Sequence, residues 1–205
     1  MRTIKAVFDV TRYGATGDGT TDDTTAIQKA IADAVAAAVP AVVEFPRGTY
    51  IVQDALAGTL YSSSGDGPIR IPPGASDITL RGYDAVIKIG NNGVTTSVVR
   101  VFGSNCRVEG LTINVNANAI LGIVDGDSAT RALKACAGFE INSNGVSTDG
   151  NDDEIEDCKC IGGYTTSNLT IAHQGTENFL IVNGVRNRIV GCYSEDATFS
   201  AFRST

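Results

Sequence analysis

Six carboxylates fall between residues 149 and 157: Asp149, Asp152, Asp153, Glu154, Glu156 and Asp157. Glycosidic hydrolysis needs two carboxyl groups facing the scissile bond, closer together for retention and further apart for inversion. Asp149, Asp152 and Asp153 are therefore the candidate catalytic residues. The same run could offer Ca²⁺ part of its shell of oxygens. It has no Asp-x-Asp-x-Asp-Gly loop, however, and a solvated coil edge accounts for it more simply, so no cofactor is assigned. His173 is the single histidine; one imidazole can serve as acid or base, although a turn position at a strand end explains it as well. With Tyr164, Arg186 and Arg188 it forms the candidate substrate-binding set. Cys158, Cys160, Cys192 and His173 make a formal zinc set. Alternation along a strand, however, points Cys158 and Cys160 the same way, into a core, and no metal site is assigned.

The background composition narrows what can hold these groups. In 205 residues, Val and Ile number 37 against 8 Leu, and Gly numbers 23. Branched side chains favour pleated strands, and this much glycine implies many tight turns, so a helical bundle is excluded. Net charge is −7, and without a Lys/Arg run to neutralise a phosphate backbone no nucleic-acid partner is expected. No stretch approaches the roughly 18 unbroken apolar residues of a membrane span. Residues 1–10 lack a hydrophobic block followed by a small-residue cleavage site, so the expectation is either a chain used without secretion or a secreted one whose leader has been removed. Five scattered cysteines read as free buried thiols of a chain folded in a reducing cytoplasm. Trp is absent and aromatics are 6%; Tyr61, Tyr83, Tyr164 and Tyr193 remain as rings on which a sugar could stack.

Along the chain, a strand over residues 4–10 leads into a glycine-rich turn over 13–19. Residues 20–23 supply capping side chains. Ile27, Ala30, Ile31, Ala34, Val35 and Ala38 then recur at helical spacing, predicting an amphipathic helix over 24–39 stopped by Pro40. Two short strands follow around Pro46-Arg47-Gly48. Thereafter short aliphatic runs end on a small turn residue. Gly82, Gly110, Asp157 and Gly191 align at separations of 28, 47 and 34 residues. If the longest step holds two turns, the period is that of a solenoid, with roughly six coils after residue 52. Asn114, Asn116, Asn118, Asn142, Asn144, Asn183 and Asn187 lie at turns or strand ends and are read as structural. Stacked parallel coils fit this register better than a sandwich closed by Asn-Gly hairpins.

The run Tyr13-Gly14-Ala15-Thr16-Gly17-Asp18-Gly19-Thr20-Thr21-Asp22-Asp23, continuing into Thr24-Thr25-Ala26-Ile27-Gln28-Lys29-Ala30-Ile31, resembles the entry segment of the pectin-lyase-like right-handed β-helix superfamily. Val43-Glu44-Phe45-Pro46-Arg47-Gly48-Thr49-Tyr50 is similar to its first-coil signature. The resemblance implies an all-β, right-handed single-stranded parallel β-helix whose helix plugs the N-terminal end. It divides the one domain into 1–52 (strand, capping helix, first coil) and 53–205 (further coils). Against the polygalacturonase pattern, Ser147-Thr148-Asp149-Gly150 is like its Asn-Thr-Asp element. Asp152-Asp153 comes sooner than its aspartate pair, His173-Gln174-Gly175 echoes its Gly-His-Gly, and Arg188-Ile189-Val190 lacks its lysine. A pectate-lyase-like mechanism would instead use calcium, with Arg186 or Arg188 as base. Members also include phage tailspikes and depolymerases. That branch implies a homotrimer on a virion, folded in the host cytoplasm beside other virion proteins, binding and cleaving a cell-surface polysaccharide. A free-standing lyase or hydrolase and a purely structural virion protein are the alternatives. Activity follows from the site and not from the fold.

Overall fold

The computed structural model describes residues 5–53, 67–90, 97–116, 136–142, 150–162, 176–182, 184–195 and 200–204. The strands stack into three sheets, and every pairing between them is parallel. Sheet A runs β1 (Ala6–Asp9), β3 (Ala41–Glu44), β6 (Ile78–Arg81), β9 (Arg107–Glu109), β12 (Glu154–Glu156) and β15 (Arg188–Val190). Sheet B runs β2 (Asp18–Asp22), β4 (Gly48–Val52), β7 (Ala85–Ile89), β10 (Thr112–Asn114), β13 (Lys159–Ile161) and β16 (Tyr193–Ser194). Sheet C runs β5 (Ile69–Ile71), β8 (Ser97–Val101), β11 (Cys136–Asn142), β14 (Thr176–Val182) and β17 (Ser200–Ser204). Each coil visits A, B and C in turn, which is a parallel β-helix and not a sandwich.

The glycine-rich entry is tied together by one buried carboxylate. Asp23, 1% exposed, accepts from the N–H groups of Thr16 (2.7 Å) and Gly17 (3.1 Å). Gly17 has φ +61°, and a Cβ there would lie 3.1 Å from the Tyr50 ring, so this turn suits glycine alone. The helix α1 (Thr24–Ala36) is capped by Asp22, whose carboxylate accepts from Thr24 N–H at 3.0 Å, and not by Asp23. It ends three residues short of the predicted boundary: Ala38 turns left-handed at φ +52°, because Pro40 offers no N–H and disfavours helix before it. Ile27, Ala30, Ile31 and Ala34 are buried against β1, β3 and β5, so α1 seals the N-terminal end of the solenoid. An open end would leave apolar side chains and strand edges in water.

The core is a column of registered side chains. Val43, Leu80, Val108 and Ile155 stack on one wall, and Ile87, Ile113 and Cys160 on another. All of them are at most 1% exposed, each worth about 1.5–3 kcal/mol for a full-sized aliphatic. Gly82, Gly110, Asp157 and Gly191 do fall at equivalent turns: the N–H of Gly82 bonds Glu109 O, that of Gly110 bonds Glu156 O, and that of Asp157 bonds Val190 O. The step of 47 residues is a single coil, since Arg107 pairs directly with Glu154. Loops between sheets absorb the excess length, so fewer coils follow residue 52 than the period suggested. At the far end, Phe139, Phe179 and Phe202 stack at centroid distances of 5.1 and 5.0 Å, and Phe202 is 50% exposed.

Candidate functional site

The corner joining sheet C to sheet A carries a ladder of left-handed residues: Asp77 (φ 60°), Asn105 (55°), Asp152 (59°) and Arg186 (60°). The N–H of Asn105 bonds Asn151 O at 2.9 Å, and that of Asp152 bonds Val185 O at 3.1 Å, which fixes the stacking. Asp and Asn tolerate this conformation because their short polar side chains bond locally. Asn105 Nδ2 donates to Asp77. Arg186 grips Asp152 bidentately, Nε to Oδ1 at 2.5 Å and Nη2 to Oδ2 at 2.6 Å. That bond, with the charge behind it, holds the Asp152 carboxyl below its usual range. Two sequence candidates from opposite roles, 34 residues apart, thus form one exposed ion pair. Arg188 reaches Glu154 at 3.5 Å, the last rung of an outward charge ladder through Glu44, Arg81, Glu109, Arg107 and Glu154. A groove of about 370 Å³ on sheet A runs beside it, lined by Lys5, Thr79, Asn105, Arg107, Asp152 and Glu154 among others.

Asp153 points the other way. It is 1% exposed, and its Oδ1 accepts from Cys106 N–H at 2.7 Å; its own N–H donates to Asn187 Oδ1 at 2.9 Å. Asn187 in turn donates to Gly150 O at 2.7 Å. Asp153 and Asn187 therefore serve as rungs of a polar ladder beneath the corner, and Asp152 and Asp153 do not share a face. Asn116 does similar work, donating to Ile89 O at 2.8 Å. Asp153 Oδ2 has no hydrogen-bond partner among the described residues. Burial pushes its carboxyl up to about 7, against the Cys106 N–H bond and with help from the Asp152 charge. The folded state then holds a proton that the unfolded chain releases near 3.8, so stability falls as pH rises through the interval from about 4 to 7. Thermal unfolding should begin lower at pH 8 than at pH 5. Asp153→Asn should flatten that dependence and gain about 1–2 kcal/mol at pH 8; an unchanged pH profile in the variant would refute the assignment.

A second constellation lies on the outer face of sheet C, and the sequence reading missed it. Register places Arg70 beside Arg100, and Arg100 beside Glu140. Arg100 binds Glu140 through Nε and Nη2, both at 2.8 Å, with side chains 12% and 4% exposed. Ser97 Oγ also donates to Glu140. The guanidiniums of Arg70 and Arg100 lie 5.0 and 5.3 Å from the Phe102 ring centroid, a cation–π arrangement. The available signal was alternation: Ile69-Arg70-Ile71, Val99-Arg100-Val101 and Phe139-Glu140-Ile141 each put one charged residue between two core residues. Asp149, Tyr164 and His173 lie outside the described residues. Cys158, Cys160 and Cys192 stand in or against the core. Among the described residues no three His, Cys, Asp or Glu side chains converge on a metal position, and no helix is long and apolar enough to cross a membrane.

The architecture defines a class, the right-handed parallel β-helices. Residues 7–67 match the family model of rhamnogalacturonase A/epimerase, pectate lyase-like proteins. That match covers the entry turn, the capping helix and the first coil, and the three parallel sheets behind them have the fold of such proteins. Among solved structures it is similar to the A-module of a mannuronan C-5 epimerase of Azotobacter vinelandii, at 24% identity and TM-score 0.56 over 96% of this chain and 53% of that one. A second epimerase A-module of the same organism gives 20% identity and TM-score 0.57 over 96% and 52%. A surface adhesin of Streptococcus pneumoniae gives 19% and 0.57 over 92% and 39%. Identities this low carry the fold alone. The chain spans about half the length of the epimerase modules. Among curated proteins none matches the sequence.

Proposed function

We propose that this chain is a polysaccharide-binding β-helix module, reading an acidic polymer along the outer face of sheet C. The observation that carries the reading is the row Arg70, Arg100 and Glu140 over Phe102, in which the partly exposed Arg70 would meet the polymer and the buried Arg100–Glu140 pair holds the face beneath it. Among the described residues the row sets two guanidiniums beside one carboxylate and one ring. Arginine is suited to bidentate recognition of a sugar carboxylate. The epimerase modules it resembles act, by their names, on mannuronan, and the adhesin works at a cell surface. The corner pair Asp152–Arg186 flanks that face and would border the same polymer. Affinity electrophoresis against polymannuronate, pectate and a neutral glucan tests it. Retardation by the uronates, lost about tenfold in Arg70→Ala, is expected; equal retardation by the neutral polymer, or none at all, refutes it.

The setting we propose is a phage-type spike or fibre, a homotrimer on a virion. Buried free thiols at Cys106, Cys158 and Cys160 suit folding in a reducing host cytoplasm. Light scattering should return a trimer, and a monomer at all concentrations overturns this setting while leaving the sugar-binding reading intact. A free-standing polysaccharide-modifying enzyme is the second reading, favoured by the family model matched over residues 7–67. Absorbance of unsaturated uronates, reducing-sugar release and changes in uronate stereochemistry would separate lyase, hydrolase and epimerase.

A further inference from the structure

Cys158 and Cys192 follow equivalent turn residues in adjacent coils. Glu156 pairs with Val190 and Lys159 with Tyr193, and Tyr193 N–H donates to Cys158 O at 2.9 Å. The two cysteines are therefore registered neighbours. Paired strands lie about 4.8 Å apart, inside the roughly 4.4–6.8 Å Cα separation that a disulfide spans. Both thiols make the same contacts one coil apart, Cys158 Sγ to Glu156 O (3.2 Å) and Val108 O (3.5 Å), Cys192 Sγ to Val190 O (3.4 Å) and Ile155 O (3.4 Å). No other described cysteine has such a neighbour: Cys160 is registered with Ile113 and Ser194, and Asp153 stands opposite Cys106. We propose that Cys158 and Cys192 are a modification site, closing an inter-coil disulfide when a small-molecule disulfide oxidant is present.

The chemistry divides unequally between the two. Cys192 is half-buried and can be reached from solvent, whereas Cys158 is fully buried. Access to solvent makes Cys192 the attacking sulfur, and its neighbour Cys158 draws the Cys192 thiol below its usual range while Cys158 itself is raised. Cys106, by contrast, is pushed up to about 12 by burial. The Cys192 thiolate attacks one sulfur of the oxidant, breaking its S–S bond and releasing one thiol. Cys158 then loses its proton and attacks Cys192 Sγ, and the second thiol leaves. Two cysteine thiols are oxidised by two electrons, the oxidant is reduced to two thiols, and the two cysteine protons end on them.

The test treats the folded chain with oxidised glutathione, quenches in acid, alkylates and maps peptides without reduction. The expected result is loss of two of the five thiols, a mass lower by two hydrogens, and one cross-linked pair holding Cys158 and Cys192. Cys192→Ser should abolish the link and Cys106→Ser should leave it. Five remaining thiols, a glutathione adduct persisting on Cys192, a link through Cys136 or Cys160, or a disulfide-joined dimer would each overturn the proposal. The wild-type map needs no variant to fold.

Discussion

Glu140→Ala should destabilise the fold by about 3–5 kcal/mol, because it removes the carboxylate that takes two hydrogen bonds from the Arg100 guanidinium in a site from which water is largely excluded. Arg100 gives Glu140 two bonds of 2.8 Å and is 12% exposed, so the lost partner cannot be replaced by solvent without opening the face. Arg100→Ala should cost a similar amount, leaving a carboxylate with Ser97 as a neighbour. The double variant Arg100→Leu with Glu140→Leu should cost less than either single change, since no charge is left unpaired. Urea unfolding midpoints measure all three. A single-variant cost under about 1 kcal/mol is the signature of an exposed pair and would remove the preorganised face from the functional proposal.

Phe179→Ala is the second large effect, about 3–5 kcal/mol for emptying a buried ring site. Phe179 is fully buried and lies nearly parallel between Phe139 and Phe202, with interplanar angles of 4° and 10°. Cross-coil stacking near 5 Å follows from the strand spacing, so the gap cannot collapse without breaking register. Phe202→Ala should cost only about 1 kcal/mol, because half of that ring already faces water. Calorimetry of both variants compares the two rungs. Equal losses would mean that the Phe202 face is covered in solution, and concentration dependence of the midpoint would then identify the cover as another subunit.

How much of this was legible in the residues depends on the range of the interaction. The capping helix was visible because Ile27, Ala30, Ile31 and Ala34 recur at a local period. The aligned turns were visible because each coil must reverse direction after an aliphatic run, and small or αL-tolerant residues do that wherever the coil falls. The burial of Cys158 and Cys160 followed from two-residue alternation. The coil count was misjudged at the step of 47 residues, because nothing local distinguishes one coil with long loops from two short ones. The pairing of Asp152 with Arg186 was equally out of reach, because it depends on corners stacked across 34 residues of chain.

Local pattern by itself determined the short turn-bounded strands, their preference for stacked coils and the one amphipathic helix, since turn chemistry and side-chain alternation act over a few residues and repeat. The helical plug came from the resemblance of the entry segment. Only the tertiary structure decided which charges meet. Arg70, Arg100 and Glu140 are successive neighbours because register stacks β5, β8 and β11, across connecting loops whose lengths leave no periodic trace. In a solenoid the site is made between coils, and the sequence distance between its parts is set by loops that the core does not constrain.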